Sequence, residues 1–307
     1  MALDKSYLDY PMRRHGMDHD LYPWSNIFER KPVSWPEGKK VALWITVSVE
    51  FFPLTPNEGP FRAPGHMVTP FPDLRTFTTK DYGNRVGVYR IMKVLDALGL
   101  VASAPMNAAV AGRYPELLND VVARNWEIIA HGTDMNHIHY GGMEIDRERE
   151  QVAAAVNGLR ELSGQPVTGW LSPARSESEN TLSLLSDHDI EYVCDWMNDD
   201  MPFQITAEDK KLVAMPFTDE LEDRKQLITL GHLEAAYEEE VLTAFDLFKT
   251  EAETHGGRIL HLALTPYVIG QPFRIQSLKH ILETISSDAS VWNATGTDIL
   301  KTWQAQQ

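Results

Sequence analysis

"NRVGVYRIMKVLDALGLVASAPMNAAVAGRYPELLNDVVARNWEIIAHG", residues 84–132, decides the fold class. Its opening, residues 84–99, repeats apolar residues at helical spacing and stops on Gly99, as an amphipathic helix does. "LVASAPM" then reads as a buried strand, "YPELLNDVVARN" as a second helix, and "EIIAHG" as a strand that delivers His131. Helices and strands joined by short connections specify a parallel sheet with right-handed crossovers.

The same alternation extends in both directions. Upstream, "KKVALWITVSVEFF" (39–52) is a continuous apolar run ending on Glu50, the pattern of a strand buried on both faces. Downstream, "VTGWLSP", "IEYVCDW", "KLVAMPF", "RILHLALTP" and "SVWNAT" read as strands separated by helical stretches. About seven or eight strands of this kind imply a closed or nearly closed barrel rather than an open sheet. Residues 1–38 lack a period and read as an arm packed over the domain. Residues 51–82 form a long Pro/Gly-rich connection, the kind of loop that serves as a lid or binding loop. No repeat or linker divides the chain, so residues 1–307 are expected to be one barrel domain.

Composition narrows the function classes. Against 28 Lys and Arg stand 44 Asp and Glu, a formal charge of −16 that disfavours nucleic acid and anionic membrane surfaces as partners. The single cysteine, Cys194, excludes an internal disulfide and a cysteine-rich zinc module, and its apolar setting "EYVCDW" reads as core. The N-terminus lacks a secretory pattern and no apolar run approaches the roughly 18 residues of a membrane span, so a cytoplasmic location is expected. The partner expected is a small molecule.

In parallel barrels the site gathers at the C-terminal ends of the strands. There stand Glu50; His131, followed by Asp134, His137 and His139; Ser172 and Arg175; Asp195; Asp219; and Thr265. A carboxylate, an imidazole, a guanidinium and a further aspartate on one rim form a hydrolase-like set. Each also has a plainer role. Glu50 suits a rim ion pair, and His131 can satisfy backbone groups. His137 and His139 suit a polar surface, and Arg175 with Asp195 suits a structural salt bridge.

Six blocks, "SWPEGKKVALWITVSVEFF", "DYGNRVGVYRI", "NWEIIAHG", "GQPVTGWLSPARSES", "YVCDWMNDDMPF" and "LTPYVIGQPFRI", occur in the order found in a known superfamily. The chain resembles the polysaccharide deacetylase (NodB-homology) superfamily, and within it the intracellular branch of cofactor-independent allantoinases and cyclic imide hydrolases. The resemblance covers about residues 20–303 and implies a distorted, nearly closed (β/α)7 barrel. It departs from the metal-dependent members at three places. Glu50 stands where paired aspartates end the first strand. Met135 stands four residues after His131, where a second histidine belongs, and a thioether is a poor zinc ligand. Thr265 replaces a general-acid histidine.

The resemblance implies an intracellular hydrolase of non-peptide C–N bonds, opening a small cyclic amide of the imide, lactam or hydantoin type. Glu50, His131, Asp134, Arg175 and Asp195 are the expected catalytic residues, and Arg62, Trp196 and Thr265 are expected to contact substrate. In one version no metal takes part, and water between Glu50 and His131 is the nucleophile. In the other, one divalent metal such as zinc is held by Glu50, His131 and His137, with Asp134 or His139 as alternatives for the third place. The rival activities are metal-dependent N-deacetylation of an amino sugar and ligand binding without catalysis. Related intracellular members assemble as tetramers, so a homo-oligomer is expected.

Overall fold

The structure, a computed structural model, describes residues 19–55, 72, 74–207 and 210–307. In chain order its main elements are β1 (Val41–Val47), α1 (Leu74–Tyr82), α2 (Val88–Leu98), β2 (Ser103–Met106), α3 (Ala108–Arg113), α4 (Pro115–Ala123) and β3 (Glu127–Ala130). There follow α5 (Ile145–Ser163), β4 (Gly169–Trp170), α6 (Thr181–Asp187), β5 (Tyr192–Val193), β6 (Phe203–Ala207) and β7 (Lys210–Ala214). The chain ends with α7 (Glu234–His255), β8 (Arg258–Leu264), α8 (Pro266–Ile269), α9 (Ile275–Ser286), β9 (Val291–Asn293) and α10 (Gly296–Gln304).

The strands lie in the order β6-β7-β5-β4-β3-β2-β1-β8, parallel throughout except for the β6–β7 hairpin. This is the expected α/β barrel, with its seam open: among the described residues β8 is not hydrogen-bonded to β6 or β7. β1 is the hub. It pairs with β8 along its whole length, Val41 with Arg258 through Val47 with Leu264. On its other edge it takes β9 at its start, Val41 to Leu43, and β2 at Thr46. β6 has no counterpart in the sequence reading. It is an antiparallel edge strand whose "FQITA" leaves no apolar run to read.

Strand periodicity divides the core into two layers. Val41, Leu43, Ile45 and Val47 of β1 pack outward with the helices, whereas Ala42 and Trp44 face the barrel interior with Ile129, Leu171, Tyr192, Cys194 and Phe217. All seven residues of β1 and of β8 are buried, which is why β1 reads as a nearly continuous apolar run and β8 as one interrupted by His261. The interior is filled, with His261 set between Trp44 and Phe217 at centroid distances of 4.6 and 4.3 Å. His261 Nδ1 accepts the Thr218 N–H and Nε2 meets the Thr46 hydroxyl. Burial, then the Arg175 charge, holds its pKa well below the usual value, so this ring is neutral packing.

The far end of the barrel is closed by Glu127. Its carboxylate accepts the Tyr192 and Ser103 hydroxyls, each at 2.6 Å, and the backbone N–H groups of Gly296 and Thr297 at the start of α10. A carboxylate at a helix N-terminus complements its unpaired amides and dipole.

One expectation needs correction. The connection 51–82 was read as loop throughout, but residues 74–82 are α1. α1 buries none of its residues and so shows no apolar stripe to betray it. Arg75 is exposed on α1, while Phe61, Phe71 and Arg62, the last expected to contact substrate, lie outside the described residues.

Candidate active site

Two-residue periodicity carries Glu50 and His131 to the interior side of the barrel mouth. Trp44 and Ile129 face inward, and Glu50 and His131 continue the same alternation past the ends of β1 and β3. The Val49–Met106 bridge keeps the chain extended beyond β1. Asn107 then ties the two segments together: its Oδ1 accepts the Phe51 N–H at 2.7 Å, and its Nδ2 donates to the His131 carbonyl. Gly132, at φ +66°, follows; a Cβ there would stand 2.5 Å from Pro173 Cγ, so only glycine lets the β4 loop pass this closely.

His131 is 3% exposed. Its Nδ1 lies 2.6 Å from the Leu171 carbonyl oxygen, which can only accept, so the ring hydrogen sits on Nδ1. Nε2 is therefore the end of the ring that faces Glu50, 3.8 Å from Oε1. That gap is too wide for a direct hydrogen bond. Burial raises the pKa of Glu50, but the His131 ring and the charges of Arg224 and Lys80 outweigh it and leave the carboxyl below its ordinary value.

The histidines of "HGTDMNHIH" divide among three tasks. Asp134 Oδ1 accepts the N–H groups of Asn136 and His137 at 2.8 and 3.1 Å and meets His137 Nδ1 at 2.8 Å. Asp134 and His137 therefore close a local turn, and the Asp134 hydrogen bond raises the His137 pKa against the opposing effect of burial. Met135 and Ile138 pack on Phe52. His139, one of the residues read as surface polar, is 1% exposed: its Nδ1 meets Glu148 Oε1 of α5 at 2.9 Å, and its ring stands edge-on to Trp170. Glu148 is fully buried and also takes the Ser178 and Thr181 hydroxyls.

Among the described residues no three His, Cys, Asp or Glu side chains gather to hold a metal ion. The set Glu50, His131, His137 is thus not brought together, because His137 is spent on Asp134. The donors present do not fit the three-ligand catalytic metal of the deacetylases.

Arg175 and Asp195 do not pair with each other. Arg175, at φ +53°, donates to Asp219 Oδ1 at 2.8 Å, reaches Glu222 at 3.4 Å, and lies over the Phe217 ring. Asp195 accepts the N–H and the hydroxyl of Ser172 at 2.7 and 2.8 Å. Tyr192 and Cys194 take the interior places of their strand, so Asp195 falls to the opposite face; a one-residue offset exchanges the two faces. There it meets Glu177, which the sequence reading did not single out. With Asp195 already taking two donors, Glu177 holds the proton between them. Burial first, then the Asp195 charge, pushes the Glu177 carboxyl up to about 9.

Thr265 keeps the interior parity of β8 and is 4% exposed. Its N–H is shared by both oxygens of Asp223, at 3.0 and 2.9 Å, and burial pushes that carboxyl up to about 8. Trp196 packs with Tyr22 and Phe203 at centroid distances of 5.5 and 6.2 Å. Cys194 is fully buried, and burial drives its thiol pKa well up, in keeping with a core residue. Lys80 and Arg224, whose charges act on Glu50, were also missed, since neither sits at a strand end. A cavity of about 660 Å³ between the arm and the barrel, lined by Tyr22, Trp24, Arg30, Phe203, Arg258 and Trp303 among others, includes neither Glu50 nor His131.

The sequence model of the polysaccharide deacetylase family matches residues 72–193. No curated protein matches the sequence. Among solved structures, the chain is similar to a probable polysaccharide deacetylase from Pseudomonas aeruginosa PAO1, with 24% identity and a TM-score of 0.81 over 93% of this chain and 99% of that one. It is equally similar to Puue allantoinase, at 24% identity and TM-score 0.81 over 97% and 99% of the two chains. A more distant likeness, 12% identity and TM-score 0.51 over 91% and 72%, is to a CE4 family pseudoenzyme from Bacillus anthracis. At these identities the likeness is one of fold. Residues 72–193 thus match the polysaccharide deacetylase family model, and the chain shares the fold of Puue allantoinase.

Proposed function

We propose that the protein is a hydrolase of non-peptide C–N bonds that opens a small cyclic amide of the imide, lactam or hydantoin type. The observation that carries this reading is the Glu50–His131 pair. The carboxylate and the ring nitrogen Nε2 face each other across 3.8 Å at the barrel mouth, and with the ring neutral both are acceptors. Two acceptors in that relation are both served by a donor with two hydrogens, and water is that donor. The domain match and the likeness to an allantoinase support the same reading.

The chemistry balances with these two groups alone. Water oxygen bonds to the carbonyl carbon as its proton passes to Glu50 or to His131 Nε2, and the carbonyl π pair becomes an oxyanion. Collapse of the oxyanion breaks the C–N bond, and the ring nitrogen leaves with that proton. Arg175 is engaged by Asp219 and Glu222 and takes no part. N-deacetylation through a metal needs a third ligand that the described residues do not bring to Glu50 and His131, so no step is routed through one.

A panel of imides, lactams and hydantoins tests the reading, with Glu50→Gln and His131→Ala as controls. Turnover of a member by the wild type, lost by orders of magnitude in both variants at an unchanged melting temperature, is the expected result. Full activity in either variant places the chemistry elsewhere, and no turnover of any member favours a non-catalytic barrel.

A further inference from the structure

α1 carries an ammonium group that the Glu50–His131 pair does not explain. Lys80 Nζ stands 4.0 Å from the centroid of the Tyr267 ring and 5.4 Å from that of Phe52. Phe52 follows Glu50 by two residues and Tyr267 follows Thr265 by two, so this aromatic clamp spans the mouths of β1 and β8. Its placement is built in by glycine. A Cβ on Gly87 would overlap the Pro266 carbonyl, so the helical segment joining α1 to α2 meets α8 backbone to backbone.

Among the described residues no carboxylate lies within ion-pair distance of Lys80. Arg224, the other cation acting on Glu50, is already held by Glu222 at 3.1 Å. Lys80 is therefore the uncommitted positive charge beside Glu50. The groups that face it are Glu50 from the end of β1, Arg224 and the Tyr267 ring; on its own helix Asp81 turns to Arg85 at 3.8 Å. Burial lowers the ammonium to about 8, with Glu50 acting upward and Arg224 downward. A desolvated cation not bound in a direct ion pair stabilises anionic charge far more than one in water does.

We propose that Lys80 is a catalytic residue of this site, whose ammonium takes the charge that develops on the attacked carbonyl oxygen and then the carboxylate of the ring-opened product. The proposal rests on the cyclic-amide reading and adds to it the group that receives the negative charge as it leaves the Glu50–water pair. The substrate class it implies is an amide whose opening yields a carboxylate within reach of Lys80.

Two measurements on the full chain test it. The first is the pH dependence of kcat for wild type, Lys80→Arg and Lys80→Met, with Glu50→Gln as reference. Wild-type kcat falls above about pH 8 as the ammonium is lost, Lys80→Arg moves that fall beyond pH 10, and Lys80→Met loses about 10²-fold in kcat with KM changed little. The second needs no turnover: calorimetric binding of succinamate, the ring-opened form of succinimide. Wild type and Lys80→Arg bind it, Lys80→Met binds at least about tenfold more weakly, and wild-type affinity declines as the pH passes 8. If Glu50→Gln is inactive while Lys80→Met keeps wild-type kcat and pH profile, Lys80 has no such role although the cyclic-amide reading stands. Equal succinamate affinity in wild type and Lys80→Met, or none in wild type, overturns the proposal whatever the panel of amides shows.

Discussion

His131 Nδ1 lies 2.6 Å from the carbonyl oxygen of Leu171, and this one bond determines which end of the ring meets Glu50. The end of β3 is thereby held by the strand beside it, and the ring cannot turn over without burying an unpaired N–H.

Substitution at His131 separates the two ends of the ring. In His131→Asn the amide N–H reaches Leu171 as Nδ1–H does, but nothing faces Glu50. The expected outcome is a melting temperature within a few degrees of wild type and a kcat lower by about 10²–10⁴-fold. Activity within tenfold of wild type on a turned-over cyclic amide counts against Nε2 as a reacting group.

His137→Ala and Asp134→Asn address the local turn. Because the two side chains bond each other rather than Glu50, kcat is expected within about threefold of wild type, with a stability loss of about 1 kcal/mol by urea unfolding. A hundredfold fall in kcat in His137→Ala at intact stability returns His137 to the site.

The barrel was legible because β1 and β8 are apolar on both faces and because helices α2 and α5 carry periodic stripes. Glu50 and His131 were legible because each ends such a strand. Asp195 is less legible by the same rule: its strand shows only two paired residues, and the parity that sends Cys194 inward turns Asp195 to Ser172 and Glu177. Lys80 was invisible for a different reason. Its helix buries nothing, and its partners Tyr267 and Phe52 lie on other elements, so only the folded chain brings them together. His139 shows the limit of alternation in a short polar segment, since its partner Glu148 sits in the following helix.

The Glu177–Asp195 pair predicts how stability varies with pH. Glu177 has its folded pKa raised to about 9, above the ~4.3 of an unfolded glutamate. Its contribution is fully present below pH 4.3 and is lost as the pH rises towards 9, because the unfolded chain gives up the proton first. Glu177→Gln removes the titration and keeps a donor for Asp195. Its melting temperature relative to wild type is expected to rise steadily from pH 5 to pH 9, and a constant difference across that range refutes the shared proton.

Glu148 gives the opposite case. Burial raises its pKa, but His139 and the Ser178 and Thr181 hydroxyls outweigh that and leave it lowered. Its contribution is present above the ordinary carboxylate range and lost as the pH falls through the lowered folded value. Glu148→Ala strands the buried His139 ring and is expected to cost about 3–5 kcal/mol in urea unfolding at pH 7, far more than Glu148→Gln. Equal costs for the two variants overturn this and show that the lost charge, not the lost side chain, carries the effect.

Cys194 is buried and its thiol pKa is driven well up. The native protein is expected to resist iodoacetamide, to be alkylated only when unfolded, and to keep its activity as Cys194→Ala. Rapid labelling of folded protein disproves the core placement.

The hub position of β1 has a cost in time. "VALWITV" is synthesised long before the strands it pairs with most fully, since Val41 pairs with Arg258 and Val291 far downstream. At about 5–20 residues per second, β1 waits roughly ten to forty seconds for its edge partners. During that interval the β8 edge of a seven-residue strand without charge or proline stands open, a pattern prone to self-association. Nascent chains of this protein should therefore depend on chaperone cover, and slowing translation should lower the soluble yield.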